Sequence, residues 1–140
     1  MHDLRPPALD DIGLAGALEQ LAERLRAPGL TTRVSATLPA DLPAAVEVAA
    51  YRIVAEALTN VTKHAGAAHC TVTLTAGADE LVIEVRDDGC GIAPGTPSGV
   101  GLVSLRERAD ELGGRCEIIC PDGGGTVIRA HVPLAPPALG

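Results

Sequence analysis

Glu56, Asn60, Lys63 and His64 are the residues best spaced to do chemistry together, in the run Glu56-Ala-Leu-Thr-Asn60-Val-Thr-Lys63-His64-Ala. On a helix turning about 100° per residue they fall within one arc roughly 100° wide, and Ala50, Val54, Ala57, Leu58 and Val61 make the neighbouring arc. A carboxylate, a carboxamide, an amine and an imidazole gathered in this way suit a metal ion and phosphates. Taken alone, the same four residues also read as a solvated helix face.

Two glycine-bearing stretches add to this stripe. In Asp87-x-Gly89-x-Gly91 the aspartate ends an alternating strand pattern, so its fixed carboxylate can accept from an exocyclic amine. The glycines let backbone approach a flat ring such as adenine. A plain hairpin-end turn is the other reading of this run. In Gly99-Val-Gly101-Leu102 small residues precede a helix, whose free N–H groups and positive dipole end favour phosphate. The competing reading is a routine glycine pair at a helix start. Asn60 offers a hard oxygen to Mg²⁺ without adding charge against a triphosphate, and Lys63 and His64 follow within a turn to meet phosphate oxygens.

The elements that must position these residues are legible as periodicity. Apolar residues at helical spacing predict a first helix over 12–26, on Leu14, Ala17, Leu18, Leu21 and Leu25, stopped by Pro28-Gly29. A strand follows over 30–38, then the chemically loaded helix over 44–64 with Gly66 as its stop. Strands over 70–76 and 81–87 form a hairpin through Gly77-Ala-Asp-Glu80. A third helix opens at Gly99-Val-Gly101-Leu102 and ends near Gly113-Gly114. The last strands, 115–120 and 126–134, flank the turn Pro121-Asp-Gly-Gly-Gly125. Residues 1–11 read as a linker, 12–134 as one domain and 135–140 as a disordered tail.

Composition narrows the function classes. With 140 residues, 46% of them hydrophobic, the chain supports a single domain with a proper core. Tyr51 is the one aromatic residue, so that core is aliphatic, which suits a sheet under Ala-rich helices. A net charge of −7 without any run of Lys or Arg argues against nucleic acid and against direct contact with an anionic membrane. No apolar run reaches the ~20 residues of a spanning helix and no signal architecture opens the chain, so a cytoplasmic location is expected. Lys63 is the one lysine among eleven basic residues, and it stands inside the loaded stripe. Cys70, Cys90, Cys116 and Cys120 form no CxxC pair and read as small buried thiols.

In order and spacing these pieces resemble the ATP-binding superfamily that joins gyrase, the heat-shock chaperones, histidine kinases and the mismatch-repair ATPases. Glu56-x3-Asn60-x2-Lys63-His64-Ala is similar to its N box, Asp87-x-Gly89-x-Gly91 to the first glycine box and Gly99-x-Gly101-Leu102 to the second. Gly125-Thr126 resembles the closing motif, whose threonine supports the adenine-binding aspartate. The resemblance implies the α+β Bergerat fold, a two-layer sandwich in which a mixed five-stranded sheet is covered on one face by three helices. Leu4-Arg-Pro-Pro-Ala-Leu-Asp-Asp-Ile-Gly-Leu14 and Gly101-Leu-Val-Ser-Leu-Arg106-Glu-Arg108 are similar to the flanks found in two-component histidine kinases of the nitrate-sensor class.

The implied function is a catalytic domain that binds Mg-ATP and passes the γ-phosphoryl to a histidine on a separate dimerisation domain, with a response regulator as the indirect partner. On this resemblance Asp87 meets adenine, Asn60 the magnesium ion, and Lys63 and His64 the phosphates. Gly89, Gly91, Gly99, Gly101, Leu102 and Thr126 complete the nucleotide contacts. Glu56 either activates a nucleophile or orients the magnesium shell. Arg106 and Arg108 face phosphate, the dimerisation stem or solvent. Because no phosphoacceptor helix is present, the chain is expected to be a catalytic fragment. The alternative within the same fold is a serine kinase of the anti-sigma type.

Overall fold

The computed structural model describes residues 7–26, 28–39, 42–62, 68–89, 106–107, 109–111, 113–119 and 124–134. Its elements run in the order α1 (Pro7–Arg24), β1 (Thr31–Thr37), α2 (Ala44–Asn60), β2 (His69–Ala76), β3 (Glu80–Asp87), β4 (Arg115–Ile119) and β5 (Thr126–Pro133). The strands form one mixed five-stranded sheet in the order β1-β2-β3-β5-β4. β1 and β2 are parallel, as a helical crossover between them requires, and the remaining pairs are antiparallel. This is the α+β architecture expected.

One face of the sheet is apolar because β2 and β3 alternate, as β5 does from Ile128 onward. β2 buries Cys70, Val72 and Leu74, β3 buries Leu81, Ile83 and Val85, and β5 buries Ile128, Ala130 and Val132. Against this face α2 lays Val46, Ala50, Ile53, Val54, Ala57 and Leu58, and α1 lays Leu14, Ala17, Leu18 and Leu21. The opposite face is polar. There Arg129 donates through Nε and Nη2 to Glu84 Oε2 at 3.1 and 2.8 Å, and His131 stands between Glu80 and Glu117.

The start of α1 differs from expectation. α1 begins at Pro7 rather than Ile12, with proline's fixed φ suited to a first helical turn, and the linker expected over 1–11 is therefore helical from Pro7 onward. Gly13, at φ 76° and ψ 176°, then breaks the helix in two, a backbone state that costs an L side chain about 1–3 kcal/mol. The third helix is described at 106–107 and 109–111, where Ala109 is fully buried. It ends where expected: Gly114 N–H donates to the Ala109 carbonyl and Gly113 N–H to that of Asp110, with Gly113 at φ 77°.

Candidate functional site

Two residues of the expected stripe, Glu56 and Asn60, are described. Glu56 and Asn60 lie one turn apart on α2 and both are half-buried. Lys63 and His64 fall outside the described residues, as do Gly91, Gly99, Gly101 and Leu102. The helix was expected to reach His64; it is α-helical to Asn60 and passes into π-type turns at 61–62, and its expected end lies outside the described residues. Val61 N–H is shared between the carbonyls of Ala57 and Leu58. Thr59 Oγ1 donates to the Ala55 carbonyl at 2.7 Å and Thr62 Oγ1 to that of Thr59 at 2.9 Å. Such hydroxyl back-bonding competes with the helical ladder and deforms it, and π-type turns recur at functional sites.

The second group of residues is assembled by strand register. Alternation on β3 continues from Leu81, Ile83 and Val85 to Asp87, so the last residue of the strand puts a carboxylate on the apolar face. Asp87 is 7% exposed. Its partners across the ladders are Cys70 on β2 and Thr126 on β5, both buried. Burial foremost raises the Asp87 carboxyl above its ordinary value, the Gly89 N–H opposes that rise, and the charge of Asp88 adds to it. Burial, helped by Asp87 and Asp88, pushes the neighbouring Cys70 thiol up to about 12.

Backbone completes this corner. Gly89 N–H donates to Asp87 Oδ1 at 2.8 Å, closing a tight turn as the chain leaves β3. Among the described residues Oδ2 accepts no hydrogen bond, which leaves it for a ligand. Gly125, at φ 87°, lies so close to the Asp87 carbonyl that a Cβ would collide with it. Glycine there lets β5 close on β3 and brings Thr126 opposite Asp87.

One member of the corner had no signal of its own in the sequence beyond the Asp-Asp pair. Asp88 Oδ1 accepts the N–H groups of Ala68 and His69, each at 2.8 Å, and Oδ2 stands 2.8 Å from His69 Nδ1. Its own N–H donates to the His69 carbonyl at 3.1 Å. These donors, the His69 N–H first, hold the Asp88 carboxyl down at about 2. The contact depends on the antiparallel register of β2 and β3, which no local pattern reveals. Past Asn60 the chain next joins the sheet at His69, beside the end of β3.

The arrangement can do three things. A buried carboxylate oxygen with no donor among the described residues can take an exocyclic amine, glycine backbone can pass close to a flat ring, and a half-buried carboxamide on α2 can offer an oxygen to a cation. This fits an adenine nucleotide and a magnesium ion carried by its phosphates. Among the described residues no group of three or more His, Cys, Asp or Glu side chains could cage a metal by itself. No described helix is long and apolar enough to cross a membrane. Cys70 and Cys116 are free thiols, buried and half-buried, as expected.

Comparison with known proteins gives the family. The family described as histidine kinase-, DNA gyrase B-, and HSP90-like ATPase matches residues 45–136, and the chain belongs to that family. The sensor histidine kinase MctS of Rhizobium johnstonii is 38% identical over 94% of this chain and 30% of its own length. The sensor histidine kinase LiaS of Bacillus subtilis is 35% identical over 98% of this chain and 39% of its own. The chain thus spans well under half the length of either relative. The histidine kinase domain of the blue-light activated histidine kinase from Erythrobacter litoralis EL346 superposes with a TM-score of 0.70 at 22% identity, covering 83% of this chain and 57% of that one.

Proposed function

We propose that this chain is the catalytic ATP-binding domain of a two-component sensor histidine kinase, of the nitrate-sensor class, and that it works on a histidine of a separate dimerisation domain. The observation that carries the proposal is Asp87: a carboxylate held on the apolar face of the sheet at a strand end, flanked by Thr126, turned by Gly89 and approached by Gly125. No packing argument explains a buried acid there, because its ionised form is disfavoured by the burial itself. A ligand amine on Oδ2 does explain it.

In this proposal Asp87 orients adenine, with Gly89, Gly91 and Thr126 around the ring. Asn60 donates an oxygen to Mg²⁺, and Lys63, His64, Gly99, Gly101 and Leu102 surround the phosphates. Glu56, one turn before Asn60, orients the magnesium shell rather than activating water. When bound, magnesium neutralises charge on the phosphates during transfer. The γ-phosphorus changes partner from the ADP oxygen to an imidazole nitrogen, and ADP leaves with the bonding electrons. The fragment itself has to hold nucleotide and metal in line. A response regulator then takes the phosphoryl from the dimerisation domain. Residues 12–134 would form the domain, with the preceding segment leading to the dimerisation stem.

Neither described histidine is poised for transfer, which supports an acceptor outside this chain. His69 is clamped by Asp88, His131 stands between two glutamates on the opposite face of the sheet, His64 belongs to the phosphate stripe and His2 to the linker. Labelled ATP should bind the isolated domain without leaving an acid-labile phosphoryl group on it, and dimerisation helices of the parent kinase should be labelled in trans. Stoichiometric self-phosphorylation would overturn the proposal. Phosphoserine on an added partner would instead favour a serine kinase of the anti-sigma type.

A further inference from the structure

We propose that Asp88 is a positioning residue for nucleotide binding: its carboxylate clamps the end of β3 to the start of β2 and so fixes the direction in which Asp87 presents its free oxygen. The inference rests on the proposed adenine role of Asp87. Asp87 is the last residue paired in both ladders, and just beyond it the chain must turn through Gly89. At that point Asp88 gathers three contacts, the N–H groups of Ala68 and His69 and the His69 ring nitrogen, all at 2.8 Å. Ala68 is itself tied on its other side, its carbonyl accepting from Thr31 N–H at 2.8 Å. One carboxylate therefore joins the ends of β1, β2 and β3 at the edge of the candidate site.

Core packing does not account for this residue. The Asp88 side chain is 50% exposed, and an aspartate at such a place loses little by pointing into water. Its ordered geometry comes from donors that converge on it, two of them backbone groups of the segment that returns from α2. The clamp thus links the strand that carries Asp87 to the connection that follows Asn60. A shift of Asp87 by a fraction of an ångström would misalign a hydrogen bond whose strength falls steeply with angle.

Calorimetric titration of ATP into the wild-type domain, Asp88→Ala and Asp88→Asn tests the idea, each with and without Mg²⁺. Asp88→Ala should weaken ATP about tenfold, the order of one well-aligned hydrogen bond. The stoichiometry and the tightening by Mg²⁺ should be unchanged. Asp88→Asn should stay within about threefold of wild type, since its carboxamide oxygen can still accept the backbone N–H groups and its NH₂ can face His69 Nδ1. A purely structural role would lower the fraction that binds while leaving the affinity of that fraction untouched. Wild-type affinity in Asp88→Ala, or equal losses in the Ala and Asn variants, would overturn the proposal. Should Asp88→Ala not fold, Asp88→Gln, which sets the same carboxamide one methylene too far out, takes its place with the same expected tenfold loss. Failure of the wild-type domain to bind ATP would overturn the nucleotide reading of Asp87 together with this one, an outcome distinct from the others.

Discussion

Replacing Asp87 with asparagine separates binding from folding, because the residue acts on them in opposite directions. The carboxylate is 7% exposed, one oxygen accepts from Gly89, and the other is left for the ligand. Asparagine keeps an oxygen for Gly89 but turns an NH₂ toward the exocyclic amine, so a charge-assisted bond is replaced by two donors facing each other. A hydrogen bond to a charged group contributes about 1.5–3 kcal/mol, which is about ten- to a hundredfold in Kd. The free protein should respond differently. Burial raises the Asp87 carboxyl, so its native value lies above its unfolded one. The stability it contributes is therefore full below the ordinary carboxylate range and is lost as pH rises through the raised native value.

Asp87→Asn removes the ionised form that burial disfavours, and the variant should be at least as stable as wild type in urea. Isothermal titration with ATP and urea unfolding of the free protein, both near pH 7, give the two readings. Loss of affinity with retained or increased stability is the expected pair. Unchanged affinity would mean that adenine is held elsewhere, and loss of stability would mean that the carboxylate serves the fold.

Asn60→Ala should leave the adenine contact and abolish the magnesium dependence of ATP binding; tightening by Mg²⁺ that persists in the variant would place the metal ligand elsewhere. Gly125→Ala should destabilise the domain by at least about 1–2 kcal/mol from its left-handed φ alone. It should also weaken ATP, since the new methyl drives the Asp87 carbonyl away; urea unfolding and calorimetry check the two effects. Cys70, fully buried and with its thiol pushed up to about 12, should resist a thiol reagent at pH 7 in the native domain and react on unfolding, as followed by peptide mapping.

What the sequence could disclose depended on the range of the interaction. Helix and strand periods are local, so α2 and its buried stripe from Val46 to Leu58, the β2–β3 hairpin and the apolar alternation on β3 were all legible. So was the placement of Asp87 at a strand end in phase with Val85. The partnership of Asp87 with Thr126 was carried by family resemblance alone, because it depends on β5 lying beside β3 in one register. Asp88 was passed over for a related reason, since its donors come from Ala68 and His69, whose position across the ladder no spacing encodes. The change from α to π-type turns at 61–62 had no signal in the helical periodicity, which continues through Thr59 and Thr62, and the expected end at His64 lies outside the described residues. At the other end of the chain, Pro7 starts a helix where a double proline had suggested only a linker.

Asp87 and Asp88 show how a strand end can divide labour between identical residues. They are adjacent, and the pleat turns them to opposite faces. Asp87 points to the apolar side, where few donors reach it and burial raises its carboxyl, so its bonding capacity is held in reserve for a ligand. Asp88 points to the open side, where converging N–H groups satisfy it and hold it at about 2. The clamp therefore stays ionised down to acid pH, and its contribution fades only as pH falls from the ordinary carboxylate range toward that value. The charge that secures the loop also raises Asp87, so the residue that steadies the binding carboxylate makes its ionised state slightly harder to hold until a donor arrives. In the proposed binding mode a ring amine donates to that carboxylate and relieves the tension, so adenine and the ionised form of Asp87 favour each other.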